Sequence, residues 1–428
     1  MYNLIKLQNG LRVIVENISY VNSVSVGLWV GNGSRNENSI NNGISHFIEH
    51  MFFKGTSKRN SKELSECIEN VGGQLNAFTG KESTCYYAKV LDSHLDLALD
   101  VLSDMLFNSK FTSEDIEKEK GVVIEEINMS EDNPEDVLAD LQCEAAWGEN
   151  SMALPILGSI STVKGFNRED IVDYISNHYT PENSVISIAG KIDIDTISQL
   201  IEKYFGGWKN RTNTEILKDK PRLLNNVLYR NKKIEQLHLS VGIKGTNIGA
   251  DDLYPLLLLN NILGGGASSI LFQKIREEMG ICYSVYSYLS TYKDHGMITV
   301  YAGLNPSYGM ETLNVIKSEL DNFVENGISD ERLSIAKEQV KGSYILGLES
   351  TSSRMFSNGK SVLFLNKVNS PEEVIHKIDS IDSNKINSVL FKTFGTGIKN
   401  VALVGSNFNL NKMKPIIEKE IITSNDFW

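Results

Sequence analysis

His46-Phe47-Ile48-Glu49-His50 reads H-x-x-E-H, and the rest of the chain is organised around it. Positions i and i+4 lie on one face of a helix, so the spacing predicts two imidazoles side by side. Glu49 stands one residue before His50, about 100° round the helix and close to the same opening. Two neutral imidazoles on one face can hold a zinc ion, and an adjacent carboxylate can take a proton from a water that the ion polarises. The order is the reverse of the commoner H-E-x-x-H. A closed structural zinc site wants four Cys or His ligands, and no such set is nearby. A catalytic site wants a third protein ligand and an open position.

Around this stretch the chain alternates strand and helix signals. Asn9-Gly10 is a turn signal, and Leu11–Glu16 and Val21–Val30 are rich in β-branched residues. Ser61–Val71 has helical spacing and is ended by Gly72-Gly73. Gln74–Phe78 and Ser83–Val90 read as a hairpin. Leu91–Asn108, Ser113–Met129 (with Ser113 as N-cap), Pro134–Trp147 and Asp170–His178 read as helices, and Ser184–Ala189 as a buried strand closed by Gly190.

The second half repeats this plan. Ser25-Val26-Gly27 recurs as Ser240-Val241-Gly242, Tyr87-Ala88 as Tyr301-Ala302, and the strand ending at Gly190 as Val401–Gly405, at a nearly constant offset of 214 or 215. The expectation is an α+β chain of two tandem homologous α/β domains, each a mixed or antiparallel sheet covered by helices. The first is placed at 1–211, a polar linker at 212–226 and the second at 227–428. At the offset of the histidines the second half has Leu259-Asn260-Asn261 and then Ile262–Gly266, with no His and no carboxylate. Only the first half is equipped for a metal. The second is left to supply substrate contacts or to close a chamber.

A third ligand must be a carboxylate or imidazole brought close by folding. The helix Ser113–Met129 offers Glu119, Glu125 and Glu126. Glu119 and Glu126 are two turns apart and share a face, while Glu125 points about 100° away from Glu126. Val122, Val123 and Ile127 mark part of this helix as buried, and a buried carboxylate wants a cation. Pattern alone leaves Glu125 and Glu126 open.

Composition narrows the partners. The net charge is −12 and no basic stretch could track phosphates, so nucleic acid is excluded as a partner and basic ligands are favoured over acidic ones. Four cysteines without C-x-x-C pairing suit reduced thiols in the cytoplasm. The opening MYNLIKLQNGLRVIVEN reads as strand and turn rather than as a signal peptide, and no apolar run is long enough to span a membrane.

Four motifs together carry a resemblance: H-x-x-E-H, E-x6-E from Glu119 to Glu126, GG-x-x-NA-x-T from Gly72 to Thr79, and R-x6-Y from Arg276 to Tyr283. Across essentially its whole length the chain resembles the pitrilysin-type inverted zinc metallopeptidases. It is most similar to the branch holding the mitochondrial processing peptidase β-subunit and its bacterial relatives. The resemblance implies one zinc ion per chain on His46, His50 and Glu126, with Glu119 supporting the site from behind and Glu49 as general base. It implies that Tyr283 touches the carbonyl oxygen under attack and that Arg276 holds the substrate backbone, with the two halves arranged as a clam-like enclosure. Asn76, Ala77 and Phe78 would be an edge to which an extended substrate adds as a strand. Asp136 and Asp140, at i and i+4, match an acidic pair that receives a substrate arginine, although a solvated helix face is the plainer reading. Ile270 stands where related peptidases often have Arg, and the mitochondrial role does not carry over without a transit peptide.

The expected function is therefore a zinc metalloendopeptidase acting on extended, unstructured peptides, basic ones included, with a homodimer as its candidate assembly. The alternative is a non-catalytic or partner-dependent peptide-binding subunit of a processing-peptidase-like complex.

Overall fold

In the computed structural model, which describes residues 2–210 and 220–406, the repeat appears as two sheets of matching strand order. The first sheet holds β1 (Tyr2–Lys6), β2 (Arg12–Asn17), β3 (Ser23–Val30), β4 (Gln74–Thr79), β5 (Thr84–Leu91) and β6 (Ser184–Gly190). The second holds β7 (Asn226–Asn231), β8 (Leu237–Lys244), β9 (Cys282–Thr291), β10 (Gly296–Leu304) and β11 (Ile398–Gly405). Their orders are β1-β2-β6-β3-β5-β4 and β7-β11-β8-β10-β9, so among the described residues β1 is the one addition to a shared plan. Each sheet has one parallel pair, β2 with β6 and β7 with β11; every other neighbour is antiparallel. The mixed-sheet, helix-covered α+β architecture in tandem is thus what the internal repeat predicted. Of the predicted linker, 212–219 lies outside the described residues, and Asn226 already opens β7.

The helices that matter for the site are α1 (Ile44–Met51), α2 (Ser61–Glu69), α3 (Leu95–Asn108), α4 (Ser113–Asp132), α5 (Pro134–Trp147), α6 (Ile160–Gly165), α7 (Arg168–His178), α8 (Ile194–Phe205), α9 (Leu253–Gly264), α10 (Gly309–Asn326), α11 (Asp330–Gly347) and α12 (Thr351–Leu365). Among the described residues, no helix is long and apolar enough to cross a membrane.

The described residues form two compact units. One takes those within Met1–Asn128, Leu154–Lys218 and Leu346–Val368; the other takes those within Met129–Ala153, Asp219–Ile345 and Asn369–Trp428. Helix α5 therefore joins the second sheet, although it precedes β6 in sequence, and α12 joins the first, although it follows β10. On the second sheet Val137, Leu138 and Leu141 of α5 pack against Leu228, Ala402 and Val404. Each such side chain contributes at most about 1.5–3 kcal/mol by leaving water. On the first sheet α12 is held by polar pins. Arg354 pairs with the buried Glu16, Asn358 Nδ2 donates to Glu16 at 2.7 Å, and Ser187 Oγ donates to the Met355 carbonyl at 2.8 Å. Gly359 allows the close approach, because a Cβ there would lie 2.1 Å from the Trp29 indole nitrogen.

With helices on both faces, the central strands have no solvated side. All of β6 is buried, and β3 is buried from Val24 onward, which explains their near-continuous apolar sequence. One face carries Val24, Val26 and Leu28 into the core with Phe47, Ile48 and Leu99. The other carries Ile14, Trp29 and Val185 to Val362 of α12. Two local expectations are corrected. Thr112, not Ser113, caps α4, its Oγ1 accepting from the Asp115 amide at 3.1 Å. Val122 is 51% exposed, so the buried face of α4 is formed by Ile116, Glu119, Val123 and Ile127.

Candidate metal centre

Helix α1 begins at Gly43, whose φ of +93° is open to glycine and strained for other residues. A Cβ at Gly43 would also lie 2.6 Å from the Leu157 carbonyl oxygen. The free amides at this helix end are met by a side chain from outside it. Glu37 accepts from the Gly43 amide at 2.7 Å, the Ser45 amide at 2.8 Å and Asn42 Nδ2 at 2.9 Å. A carboxylate there also suits the positive end of the helix dipole. Ser45 is fixed a second way, in a closed ring of buried hydrogen bonds. Asn32 Nδ2 donates to Ser45 Oγ at 3.1 Å, Ser45 Oγ meets the Tyr174 hydroxyl at 3.1 Å, and Tyr174 donates to Asn32 Oδ1 at 3.2 Å. The residue beside His46 is thereby locked to the segment that follows β3 and to α7.

On this anchored helix the two imidazole rings lie with centroids 4.6 Å apart, and α4 brings Glu126 to both. Glu126 Oε2 is 3.7 Å from His46 Nε2 and 3.4 Å from His50 Nε2. Donor atoms of His46, His50 and Glu126 all fall within 4.8 Å of one another. Two donors on one tetrahedral zinc ion lie about 3.4 Å apart, so this set fits such an ion. Glu125 faces solvent, so the geometry selects Glu126 from the two carboxylates that the pattern left open.

Glu119 lies behind His50. It is 3% exposed, its Oε1 is 2.7 Å from His50 Nδ1, and its Oε2 is 2.5 Å from Lys54 Nζ. Burial alone would raise the Glu119 carboxyl; hydrogen bonds from His50 and Lys54 outweigh it and hold the group below its ordinary value. The two imidazoles are unequal. Burial and the neighbouring His50 push His46 down to about 4. Burial also opposes charge on His50, but Glu119 and Glu126 prevail and raise it to about 9. Without a metal, the pair of acids is answered by a proton on His50.

Glu49 faces the same opening and accepts from the Thr79 hydroxyl. Burial raises its carboxyl, opposed by Thr79 and by His50. Thr79 ends β4, the outermost strand of its sheet, which carries Asn76, Ala77 and Phe78. Residues Leu75 and Ala77 turn toward the core beneath α1. Asn76 is exposed, and Phe78 sets its ring edge-on to Trp29 at 5.6 Å and to Phe356 at 5.7 Å. Sequence reasoning assigned no role to Thr79 or Lys54. Thr79 is the last letter of the GG-x-x-NA-x-T motif, and Lys54 follows His50 by four residues; both signals were present.

The remaining candidates belong to the second unit. Arg276 and Tyr283 are brought together, with the guanidinium carbon 5.2 Å from the Tyr283 ring centroid and 4.7 Å from that of Phe272. Asp136 and Asp140 are exposed on α5, and Asp136 accepts from Asn133 Nδ2 at 2.9 Å.

Comparison with known families matches the insulinase model (peptidase family M16) to residues 12–160 and the peptidase M16 inactive domain to residues 165–340. An uncharacterized zinc protease of Bacillus subtilis (strain 168), YmxG, is 45% identical over 387 residues, covering 90% of this chain and 94% of that protein. An uncharacterized zinc protease of Mycobacterium tuberculosis (strain ATCC 25618 / H37Rv) is 38% identical over 391 residues, covering 90% and 88%. A protease from Helicobacter pylori has a similar fold, with a TM-score of 0.89 at 20% identity over 95% of this chain and 99% of that one.

Proposed function

This chain belongs to the insulinase family of peptidases, and from that premise we propose that it is a zinc metalloendopeptidase hydrolysing extended, unstructured peptides. The observation that carries the reading is the convergence of His46 Nε2, His50 Nε2 and the Glu126 carboxylate, with a second carboxylate, Glu49, beside them. One zinc ion per chain would be held by the first three. When bound, it supplies a Lewis acid that polarises a peptide carbonyl and lowers the pKa of a water.

The chain's own groups divide the rest of the work. Glu119 fixes the orientation and tautomer of His50 through Nδ1, leaving Nε2 free to ligate. Glu49 accepts the proton of the attacking water and passes it to the leaving amine. Thr79 holds the Glu49 carboxylate in place. The outer edge of β4 offers backbone groups to an extended substrate, which favours broad sequence tolerance and selects against folded proteins. Arg276 and Tyr283 are proposed as substrate contacts of the second unit, and Asp136 and Asp140 as contacts for a basic side chain.

Metal content and cleavage of a quenched fluorescent peptide library, for wild type and Glu49→Gln, test this reading. The variant should keep about one zinc per chain and lose at least roughly 100-fold in turnover, within the range of general-base removal. Equal cleavage by both proteins sinks the general-base role. Zinc without wild-type cleavage points to a partner-dependent subunit, and no zinc after reconstitution points to a structural protein.

A further inference from the structure

The side of α1 turned away from the histidines borders a cavity of about 570 Å³. Ile44 stands two residues before His46, about 200° round the helix, and so faces the opposite way. The rest of the wall comes from the loop before α1, from α6 and from α7. Phe166 and Tyr174 make the floor with Ile44, and none of the three is more than 6% exposed. Phe166 is braced by Phe47 of α1, with ring centroids 5.5 Å apart. Tyr174 lies against His178, with centroids 3.9 Å apart and planes 19° apart, and His178 Nδ1 donates to the Tyr174 carbonyl at 2.8 Å. The floor is therefore formed before any ligand arrives.

One wall is apolar and stands in water. Ile40 is 85% exposed, the most exposed large hydrophobic side chain among the described residues. Its loop is folded on itself: Asn38 Oδ1 accepts from the Ile40 amide at 2.8 Å, and Asn41 Oδ1 accepts from the Asn38 amide at 2.8 Å. A lone exposed isoleucine needs no explanation, but one in the wall of a ring-floored cavity adds contact area to it. The charge on the lining has one sign. Asp170 and Asp173 of α7 are exposed and line the cavity, and no Lys or Arg does. Neither acid forms an ion pair among the described residues, and Asp170 accepts from the Asn167 amide at 3.0 Å. Both carboxylates repel an anion, and a bare inorganic cation would leave the rings uncovered. A cation carried on an apolar body answers the acids and the floor together.

We propose that this cavity is a second ligand site, for an organic cation whose ammonium or guanidinium group meets Asp170 and Asp173 while its apolar body lies on the floor and against Ile40. The occupant rests on Ile44, which opens α1, and on Tyr174, whose hydroxyl holds Ser45. It is thus placed to brace, from behind, the helix that carries His46 and His50. The site stands independently of the peptidase reading. The cation belongs either to an arginine side chain of a peptide or to a free small molecule, and both present the same group to the acids.

The test is isothermal titration calorimetry on the full-length chain with phenethylguanidine for the free source and N-acetyl-arginine amide for the peptide source. Their uncharged counterparts are 2-phenylethanol and N-acetyl-citrulline amide, and guanidinium chloride supplies the charge without the body. One of the two cations should bind at least roughly tenfold more tightly than its counterpart and than guanidinium, and which does so identifies the source. The double variant Asp170→Asn and Asp173→Asn should abolish that preference, and Ile40→Ala should weaken the cation severalfold. All three positions are exposed, and thermal melts confirm folding. Hydrogen exchange with the bound cation should slow in segments 38–48 and 160–178. Equal binding of charged and uncharged probes, a preference that survives the double variant, protection only elsewhere in the chain, or no binding of either cation overturns the proposal.

Discussion

Glu119 Oε1 lies 2.7 Å from His50 Nδ1, while the opposite nitrogen of the same ring faces Glu126 Oε2 at 3.4 Å. One carboxylate thus orients the imidazole that the other faces. With the Nδ1 proton held on Glu119, it is the Nε2 proton facing Glu126 that a metal would displace. Glu119→Gln replaces an anion with an amide that can present its NH2 group to the same nitrogen. Zinc affinity should fall roughly 10- to 100-fold, the usual cost of losing such a partner, measured by competition with a chromogenic chelator. Unchanged affinity would leave Glu119 as no more than the partner of Lys54.

Thr79 ties the edge strand to Glu49. Thr79→Val keeps the shape and removes the hydroxyl that donates to Glu49. About 1 kcal/mol is at stake in a typical hydrogen bond, equivalent to roughly a fivefold loss of kcat. Zinc content and thermal midpoint should stay at wild-type values. A loss of metal instead would mean that Thr79 supports α1 rather than the carboxylate.

Acid stability should depend on Asp104, whose side chain is fully buried in α3. Burial would raise its pKa, but donors outweigh it: Thr56 Oγ1 at 2.8 Å, Asn108 Nδ2 at 2.8 Å and Arg59 Nη1 at 2.7 Å. The folded pKa lies below the unfolded value, so the ionised group stabilises the fold above about pH 4 and loses that contribution as pH falls through the folded pKa. Asp104→Asn should cost about 1–3 kcal/mol at pH 7, and its urea midpoint should fall less than the wild type's between about pH 5 and pH 3. Parallel pH profiles for the two proteins would show that Asp104 does not titrate with unfolding.

Removing the metal should leave a folded protein. The ligands sit on elements held by other means, α1 by Glu37 and the Asn32–Ser45–Tyr174 ring and α4 by Val123 and Ile127. At 100 times its dissociation constant a ligand adds about 2.7 kcal/mol, which for a domain of this size moves the melting midpoint by roughly 5–10 °C. The chelated protein should melt lower by about that amount and show an unchanged far-ultraviolet circular dichroism spectrum at 25 °C. Collapse of that spectrum on chelation would make the metal a structural element.

The legible parts of this protein are those whose physics is local. The i, i+4 histidines and Glu49 lie within five residues, so helix geometry alone places them around one opening. Strand periodicity and a constant offset exposed the repeat, because homologous sheets preserve spacing, and the shared strand order follows from that. Glu126 could not be separated from Glu125 by pattern, since both lie on one acidic helix and only packing decides which reaches the histidines. Packing also made Glu37 the cap of α1, linked Thr79 to Glu49, and buried Glu119 between His50 and Lys54, contacts that join residues from 6 to 69 positions apart. The placement of α5 on the second sheet and α12 on the first was likewise beyond sequence reasoning. An amphipathic helix records that it must bury a face, not which sheet will cover it. The sequence by itself determined the histidine pair, the carboxylate beside it, the tandem α+β plan and the half that lacks them. Tertiary structure decided which carboxylate reaches the histidines, what supports that pair and the exchange of helices, because each depends on groups that only folding brings within hydrogen-bonding or packing distance.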